Sequence, residues 1–304
     1  MAVESISVGR HKRGYYLYLI PGFVGLLLIV IGPQIANFVL SFTAWKGVGT
    51  PRWVGTQNYE RLLTDDQFWG SMHNTLLYMI SMTAIPVLIG IVLASLLFDY
   101  VRDQFSEQVS SFFRAAFYLP QILPLTVAGV LWGWILNPVG VANVLLKMAG
   151  LGALAQNWIG DATYALPAVS LVIVWVQVGY CLVVFMAGMS RIDPALYEAA
   201  QLDGAGWWQR LISITVPMLA PEIFVVVLTT LIAALKVFAP VFVLTQGGPD
   251  DATLAPSYLT YYHFFTTQRV GYAAAVSTVQ MILTLGLAVI FLLFQRRQAE
   301  REVL

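Results

Sequence analysis

The sequence predicts an all-α protein with six transmembrane helices, and three observations point to that class. Of the 304 residues, 59 % are hydrophobic and 11 % are charged, whereas soluble domains carry about 25 % charged residues. The charged residues are spaced unevenly, so that several long stretches contain none. Within these stretches the apolar residues do not alternate with polar ones, as they would in the strands of a membrane barrel.

Each stretch without Asp, Glu, Lys or Arg is long enough for one helix, because about 20 apolar residues cross the hydrocarbon core. A further apolar stretch before the last of them is interrupted only by Glu222 and Lys236. The predicted spans are therefore 15–43, 71–98, 112–136, 164–189, 217–244 and 271–294. This divides the chain into an N-terminal segment 1–14, a transmembrane domain 15–294 and a C-terminal tail 295–304.

Basic residues are distributed asymmetrically between the two sides of these spans. The side that holds both termini carries Arg10, Lys12, Arg13, Arg102, Arg114, Arg191, Arg210, Arg296, Arg297 and Arg301. The other side carries only Lys46, Arg52, Arg61, Lys147 and Arg269. Because cytoplasmic loops are enriched in Lys and Arg, both termini are predicted to be cytoplasmic. The first span is too long for a cleaved signal sequence and is expected to remain as a helix.

Several classes of function are excluded by what the sequence lacks. Sixteen basic and sixteen acidic residues give no net charge, which argues against nucleic-acid binding. No lysine follows a glycine, so there is no phosphate-binding loop, and the three histidines show no metal-ligand spacing. The single cysteine, Cys181, falls within a span, and no nucleophile has a convincing base. The chain is therefore predicted to have no enzyme activity, cofactor or metal of its own.

Helix-breaking residues lie inside several predicted spans, at Pro86, Gly90, Pro120, Pro124 and Pro240. Each of them permits two interpretations: a simple kink, or a backbone break that lines a water-filled path. Several such positions together favour a transport path over a passive membrane anchor.

The segment 190–216 between the fourth and fifth spans carries clear helix signals. Asp193 and Pro194 are suited to the N-cap and first position of a short helix running to about Leu202. Gly204 is suited to the left-handed conformation that ends a helix. A second amphipathic piece, from Trp207 to Ile214, then leads into the fifth span. The exposed face would either lie in the lipid headgroups or dock onto a partner.

The spacing in this loop resembles the signature of the membrane subunits of binding-protein-dependent ABC importers. The signature is E-A-A, three residues, G, nine residues and I-x-L-P, and Val216 replaces its usual leucine. The resemblance implies that this loop, 190–216, here called the coupling loop, carries a coupling helix that docks into a cleft of a separate ATPase subunit. The glutamate is implied to pair with a basic residue there. The residues assigned to this coupling are Glu198, Ala199, Ala200, Asp203, Gly204, Ile214 and Pro217.

A second resemblance, to the carbohydrate branch of these importers, begins at Lys236 with K-V-F-A-P-V-F-V-L-T-Q-G-G-P. It continues through an aromatic outer loop and G-Y-A-A-A, while Ala239 replaces a common acidic residue. A weaker similarity lies in W-V-G-T-Q-N-Y, from Trp53 to Tyr59. Together the similarities extend over about 15–294 and suit the first of two unlike permease subunits.

The resemblance also implies the partners and the location. A second homologous permease would complete a heterodimer, and two ATPase subunits would hold ATP and Mg²⁺. An extracytoplasmic sugar-binding protein would deliver the substrate. The chain itself would be a multi-pass protein of a bacterial or archaeal cytoplasmic membrane.

Aromatic, amide and hydroxyl groups at membrane depth suit a sugar, which presents apolar C–H faces beside hydroxyls. Such substrate-pathway candidates are Lys236, Phe238, Gln177, Tyr180, Trp132, Trp134 and Gln280. Each is alternatively a packing or interface residue, and Lys236 could extend its stem to the outer interface. Glu222, near the inner end, is expected to contact water or a partner. A glycine-rich turn forms the candidate outer gate or binding-protein contact, at Gln246, Gly247, Gly248 and Pro249.

The expected function is therefore import of a di- or oligosaccharide, driven by ATP hydrolysis on partner subunits. An ion-coupled secondary transporter is the alternative, and it predicts buried acidic residues and an inverted repeat. An intramembrane enzyme is a weaker alternative, because no catalytic pair is evident in the sequence.

Overall fold

A computed structural model of the chain describes residues 16–98 and 107–302. The α-helices are α1 (Ile20–Gly25), α2 (Gly32–Leu40), α3 (Gln57–Leu63), α4 (Asp66–Leu96), α5 (Glu107–Ile122), α6 (Leu125–Ile135), α7 (Val141–Met148), α8 (Ala162–Met189), α9 (Pro194–Leu202), α10 (Trp207–Arg210), α11 (Val216–Met218), α12 (Ala220–Leu235), α13 (Ala239–Leu244), α14 (Pro256–Tyr261) and α15 (Val270–Glu302). The strands β1 (Thr43–Ala44) and β2 (Arg52–Trp53) form an antiparallel pair. Short 3₁₀ segments are Tyr16–Leu19 and Gly152–Leu154, and π-helical segments are Leu26–Ile31, Leu211–Thr215 and Tyr262–Thr266.

The helices include enough apolar segments for six membrane spans, and the all-α prediction is confirmed. Four segments of the described chain are long and apolar enough alone, namely Ile20–Leu40, Asp66–Leu96, Ala162–Met189 and Val270–Gln295. Two bent pairs each supply one more, namely Ser111–Ile122 with Leu125–Ile135 and Trp207–Met218 with Ala220–Leu235.

The third and fifth spans differ from their predictions, because neither is one continuous helix. The predicted helix 112–136 breaks after Ile122 and bends by 98° before Leu125. Pro124 is extended at ψ 134°, and a proline also disfavours helical geometry at the residue before it.

The predicted helix 217–244 is interrupted twice. It bends by 72° between Met218 and Ala220, and α12 ends at Leu235, before α13 begins at Ala239. Pro240 lies in the first turn of α13, where its missing N–H removes no helical hydrogen bond.

The second and fourth spans are continuous and capped at their N-termini. The Asp65 side chain accepts a hydrogen bond from the Gln67 amide at 3.0 Å, and Asp161 accepts one from Thr163 at 2.8 Å. Both helices contain an internal proline, Pro86 or Pro167, yet neither is broken. An internal proline therefore does not by itself break a span.

The last helix, α15, continues to Glu302 rather than ending at 294. Its final turns contain Gln, Arg, Ala and Glu, which are all good helix formers. The N-terminal segment 1–14 lies outside the described residues, as does Arg102.

The described residues pack as two units. One contains the chain up to Thr64 with His263–Thr278, and the other contains Asp65–Tyr262 with the chain from Val279 onward. In the first, the Asn37 amide donates to Ser277 Oγ at 3.0 Å and to Thr278 Oγ1 at 3.1 Å.

The second unit is built around α4 and α8. Its buried core includes Ile91 and Ala94 from α4 and Leu182 and Phe185 from α8. Burial of such side chains is the main stabilising term of the packed interior. The two unbroken spans therefore form much of the packed core against which the broken spans pack.

Candidate functional site

The coupling loop has the local structure that its sequence predicts. Helix α9 spans Pro194–Leu202, and the Asp193 carboxylate accepts a hydrogen bond from the Ala195 amide at 3.0 Å. Gly204 follows with φ +79°, the left-handed conformation that closes the helix. A Cβ at Gly204 would meet no neighbouring atom within 4 Å, so a substitution there would strain the backbone alone.

One face of the loop is anchored to the helical core. The hydroxyls of Tyr197 and Thr215 lie 2.9 Å apart and share a hydrogen bond. Tyr197, Trp207 and Ile214 pack against a buried cluster that includes Leu211 and Met189. Because both helical pieces are held on this side, the loop has a defined shape rather than free movement.

The opposite face of the loop is exposed. Glu198 and Ala199 are exposed, as are Asp203, Gly204 and Pro217. The side chain of Leu202 is 90 % exposed and adds an apolar group to this face. Ala200 and Ile214 are half-buried. The arrangement therefore presents a mixed charged and apolar surface of a kind that a partner protein could cover.

The base of the loop is tied to the fifth span by an ion pair that the sequence did not predict. Arg191 pairs with Glu222, whose side chain is only 11 % exposed, whereas that of Arg191 is 72 % exposed. The sequence had suggested water or a partner subunit as the contact for this glutamate. The pair links the end of the fourth span to the start of the fifth.

A cavity of about 340 Å³ lies where the third and fifth spans are interrupted, and it is here called the helix-break cavity. The break in the third span contributes Gln121, Leu123 and Leu125, and the break in the fifth contributes Lys236, Val237, Phe238, Ala239 and Pro240. Continuous helices supply the remaining wall with Met82, Ile173, Val176 and Gln177. Interrupted helices near a cavity are a recurrent way to build a transport site in a membrane protein.

One buried polar atom that lines this cavity has no hydrogen-bond partner. The side-chain oxygen Oε1 of Gln121 is buried without a hydrogen bond. Gln177 and Lys236 line the same cavity and add an amide and an ammonium group. A buried oxygen without a partner costs about 1–3 kcal/mol, so a ligand that donates a hydroxyl proton would be stabilising. Gln121 is not among the predicted pathway residues, although a polar residue between Pro120 and Pro124 in a span was a usable signal.

An aromatic cluster adjoins the cavity at Phe238. The rings of Phe238 and Phe242 lie 5.3 Å apart, and those of Phe242 and Tyr261 lie 5.1 Å apart. Tyr258 completes the cluster at 6.1 Å from Tyr261. Burial raises the pKa of the Tyr258 phenol, with smaller contributions from Tyr261 and Tyr262. This phenol therefore remains protonated beside an aromatic surface.

The structure brings together three of the predicted pathway residues, Gln177, Lys236 and Phe238, and separates the other four from that cavity. Trp132 stacks edge-on against Trp175 and lines a different, apolar cavity of about 480 Å³. Trp134 is 70 % exposed on the outer surface of the unit.

The two remaining candidates make local hydrogen bonds. The Tyr180 hydroxyl lies 3.3 Å from Thr229 Oγ1. The Gln280 amide donates to the Leu235 carbonyl and to Ser257 Oγ at 2.6 Å. Gln280 therefore holds the end of α12 in place, which is a structural contact close to the break.

The glycine-rich turn is a tightly bonded structure with unusual backbone geometry. Gln246 and Gly247 have φ of 51° and 84°, and the Gly248–Pro249 peptide is cis. Thr253 Oγ1 donates to the Gly248 carbonyl at 2.8 Å. Asn74 of α4 donates to the Leu254 carbonyl at 3.1 Å, which fastens the segment after the turn. The turn is therefore a shaped surface, as a gate or docking contact would require.

A bundle of apolar helices with an exposed, anchored loop and an internal cavity that contains a few polar groups is typical of a membrane transport subunit. Residues 87–301 match the family described as the binding-protein-dependent transport system inner membrane component. The chain belongs to this family, and it is an ABC importer permease of the membrane. In residues 16–98 and 107–302 no three His, Cys, Asp or Glu side chains cluster as metal ligands would.

Individual relatives match the chain along nearly its whole length. The probable ABC transporter permease protein YurN of Bacillus subtilis is 36 % identical over 289 residues, covering 94 % of this chain and 97 % of the relative. AmyD of Thermoanaerobacterium thermosulfurigenes is a probable starch degradation products transport system permease protein. It is 28 % identical over 287 residues, which cover 94 % of this chain and 95 % of AmyD.

A solved structure has the same fold. It is a bacterial ABC transporter involved in the import of the acidic polysaccharide alginate, and one of its chains is 25 % identical to this one. The two chains superpose with a TM-score of 0.80 over 94 % of this chain and 96 % of the other.

Proposed function

We propose that this permease imports a di- or oligosaccharide, that an external binding protein delivers the sugar, and that ATP hydrolysis on two partner subunits drives the transport. A second homologous permease completes the translocation path. ATP and Mg²⁺ are held by the ATPase subunits, and this chain contributes passage and coupling.

The observation that carries this proposal is the coupling loop. Its exposed face joins Glu198 to the apolar Leu202, while Tyr197 and Thr215 hold its other face to the core. A headgroup-bound helix would explain the apolar surface, but it would not need Gly204 at φ +79° in an exact sequence spacing. A rigid, two-sided element suits transmission of movement from an ATPase to the membrane helices.

The sugar assignment is supported by the helix-break cavity. Gln121, Gln177 and Lys236 supply hydrogen-bond groups beside the aromatic ring of Phe238. Sugars carry hydroxyls and apolar C–H faces, so amides next to aromatic rings suit them. The names of AmyD and of the alginate importer point in the same direction, since both concern polysaccharides or their fragments.

Reconstitution tests the proposal directly. The chain would be purified together with the proposed second permease and ATPase subunits, inserted into proteoliposomes, and supplied with the binding protein and labelled oligosaccharides. We expect uptake only with ATP and binding protein, and insensitivity to proton or sodium ionophores. Uptake that follows an ion gradient without ATP would favour the secondary transporter instead.

Glu198→Lys tests the coupling contact in the same system. A reversed charge would face the basic residue expected on the ATPase, so ATPase co-purification and uptake should both fall. Gln201→Lys adds a lysine at an exposed position of the same helix that is not among the assigned coupling residues, so it controls for a general electrostatic effect. If the Glu198→Lys variant shows normal uptake and normal co-purification of the ATPase, the coupling assignment is wrong.

The proposed orientation, with both termini cytoplasmic, can be tested by cysteine labelling in intact cells. Cys181 is buried and would be replaced by alanine. Val139 and Leu202 are 85 % and 90 % exposed, which makes them a matched pair of labelling sites on opposite predicted sides. Val139→Cys should react with an impermeant reagent from outside, and Leu202→Cys should not. The reverse pattern would invert the topology.

A further inference from the structure

Most of the basic residues on the predicted outer side converge on one pocket in the first unit. Of the five that the sequence assigns to that side, Lys46, Arg52, Arg61 and Arg269 line this pocket, and Lys147 does not. The pocket has a volume of about 490 Å³ and is here called the outer-loop pocket. Its lining also includes Thr43, Trp45, Asn58, Gly271 and Tyr272.

The walls of this pocket are built by backbone contacts that fix their shape. Strands β1 and β2 pair above it, and the Val270 amide donates to the Trp45 carbonyl at 3.0 Å. The Asn58 amide donates to the Thr43 carbonyl at 2.9 Å. Gly271 is needed at this junction, because a Cβ there would collide with the Thr43 carbonyl oxygen. The pocket is therefore a built feature of the fold rather than a gap between mobile loops.

The charges in this pocket are not neutralised within the described chain. Its lining contains four cationic side chains and, among residues 16–98 and 107–302, no carboxylate. Glu60 lies nearby in sequence, but its carboxylate accepts a hydrogen bond from Thr56 at 2.7 Å and is not part of the lining. The Arg61 guanidinium lies 4.7 Å from the centre of the Tyr272 ring, which orients it without supplying a negative charge. Four like charges in one concave site favour an anionic ligand.

The position of the pocket along the helices indicates which anion it takes. Helix α2 of the first span ends at Leu40, and α15 of the last span begins at Val270, so the lining lies just beyond two membrane helices. Tryptophan and tyrosine are enriched at the membrane–water interface, and Trp45 and Tyr272 line the pocket while Trp53 lies on β2 beside it. Lipid phosphates lie at this depth, and arginine binds phosphate through two parallel hydrogen bonds.

We infer that the outer-loop pocket binds the phosphodiester of an anionic phospholipid. Arg52 and Arg269 hold the phosphate, and Arg61 is the positioning residue that Tyr272 orients. This assignment gives a role to basic residues on the side of the membrane where Lys and Arg are otherwise few. The proposed lipid binding does not depend on which substrate the protein transports.

The test measures lipid binding to the purified full-length chain by native mass spectrometry. The probes are phosphatidylglycerol, phosphatidylethanolamine and inorganic phosphate. The wild-type chain should prefer phosphatidylglycerol over phosphatidylethanolamine. Arg269→Gln should weaken phosphatidylglycerol binding about fivefold, since a basic residue near an anionic lipid surface contributes about 1 kcal/mol. Arg52→Gln combined with Arg269→Gln should weaken it further.

Two controls keep the result interpretable. Lys147→Gln removes an exposed cation outside the pocket and should leave lipid binding unchanged. Arg52→Lys combined with Arg269→Lys keeps the charge but loses the paired hydrogen bonds of arginine, so it should bind phosphatidylglycerol more tightly than the double glutamine variant and less tightly than the wild type. This intermediate binding would exclude misfolding as the cause.

Three results would overturn the proposal. The first is equal binding of phosphatidylglycerol and phosphatidylethanolamine. The second is inorganic phosphate that binds as tightly as phosphatidylglycerol, which would indicate a free-anion site. The third is a double glutamine variant with unchanged lipid binding but weakened association with the external binding protein, which would indicate a protein contact.

Discussion

The unbroken and the broken spans of the second unit differ in what they contribute. Helices α4 and α8 are continuous and supply much of the buried core, including Ile91 and Phe185. The third and fifth spans are interrupted, and their interruptions supply most of the lining of the helix-break cavity. The continuous helices therefore supply most of the packed core and one polar group of the cavity, Gln177, whereas the breaks supply its other two polar groups, Gln121 and Lys236.

Proline content does not explain this difference. Pro86 and Pro167 lie within continuous helices, while Pro124 and Pro240 lie at breaks. A helix broken in the membrane exposes backbone groups that must be satisfied by protein or by a water-filled cavity. Tertiary surroundings therefore decide which proline interrupts its helix.

The coupling loop joins an unbroken span to a broken one, and the largest effect is expected there. Gly204→Val should abolish uptake, because a branched side chain at φ +79° is strained by about 1–3 kcal/mol and would displace the docking surface. Gly150→Val is the matched control, since Gly150 has φ +76° and equally open surroundings on another loop. The measurement is uptake per membrane-inserted protein. Equal losses of uptake in the two variants would mean that strain in the coupling loop has no special effect on transport.

The lining of the broken spans should control uptake next most strongly. Lys236→Met keeps most of the side-chain volume but removes the ammonium group from the cavity. Uptake should fall about tenfold or more, because a hydrogen bond from a charged group contributes about 1.5–3 kcal/mol. Lys147→Met makes the same change at an exposed lysine of α7, outside the cavity, and should have no effect. A Lys236→Met variant with normal uptake would mean that this ammonium group does not contact the sugar.

The break in the third span can itself be tested by restoring a helix former. Pro124→Ala should favour a straighter third span, since an interior proline disfavours a helix by about 3 kcal/mol. We expect uptake to fall severalfold as the cavity closes. Pro86→Ala, in the unbroken α4, should leave uptake near the wild-type level. A similar response of the two variants would contradict the distinction between the two types of span.

The ion pair at the base of the coupling loop should have the smallest effect. Glu222→Gln removes the partner of Arg191, but that arginine is largely exposed to solvent. Exposed pairs contribute about 0–1 kcal/mol, so thermal stability in detergent should change only slightly. A loss of several degrees in the unfolding temperature would mean that the pair holds the two spans together.

The sequence predicted the coupling loop in detail because its signals are local. Asp193, Pro194 and Gly204 each act within one helical turn, and each has the predicted conformation or contact. The family assignment followed from the same residues and is confirmed by the match over 87–301.

The cavity was less predictable, because it depends on contacts between distant segments. Gln121 was missed, and Trp134 was selected although its side chain faces outward. The local sequence around each residue does not specify which way its side chain points. That direction depends on the bend after Ile122, which turns the helix of Trp134 away from the helix of Gln121. Partner subunits, orientation and substrate contacts stay predictions for the same reason, since they depend on surfaces beyond a single helical turn.

The central claim is that the helix-break cavity is the sugar pathway, and cysteine accessibility tests it most directly. Gln177 lines the cavity on α8, whereas Val183 is an exposed apolar residue on the same helix. In a Cys181→Ala background within the reconstituted transporter, Gln177→Cys should react with a hydrophilic thiol reagent. The transported oligosaccharide should protect it, while Val183→Cys should show no sugar protection. If uptake persists and sugar does not protect Gln177→Cys, the pathway lies elsewhere.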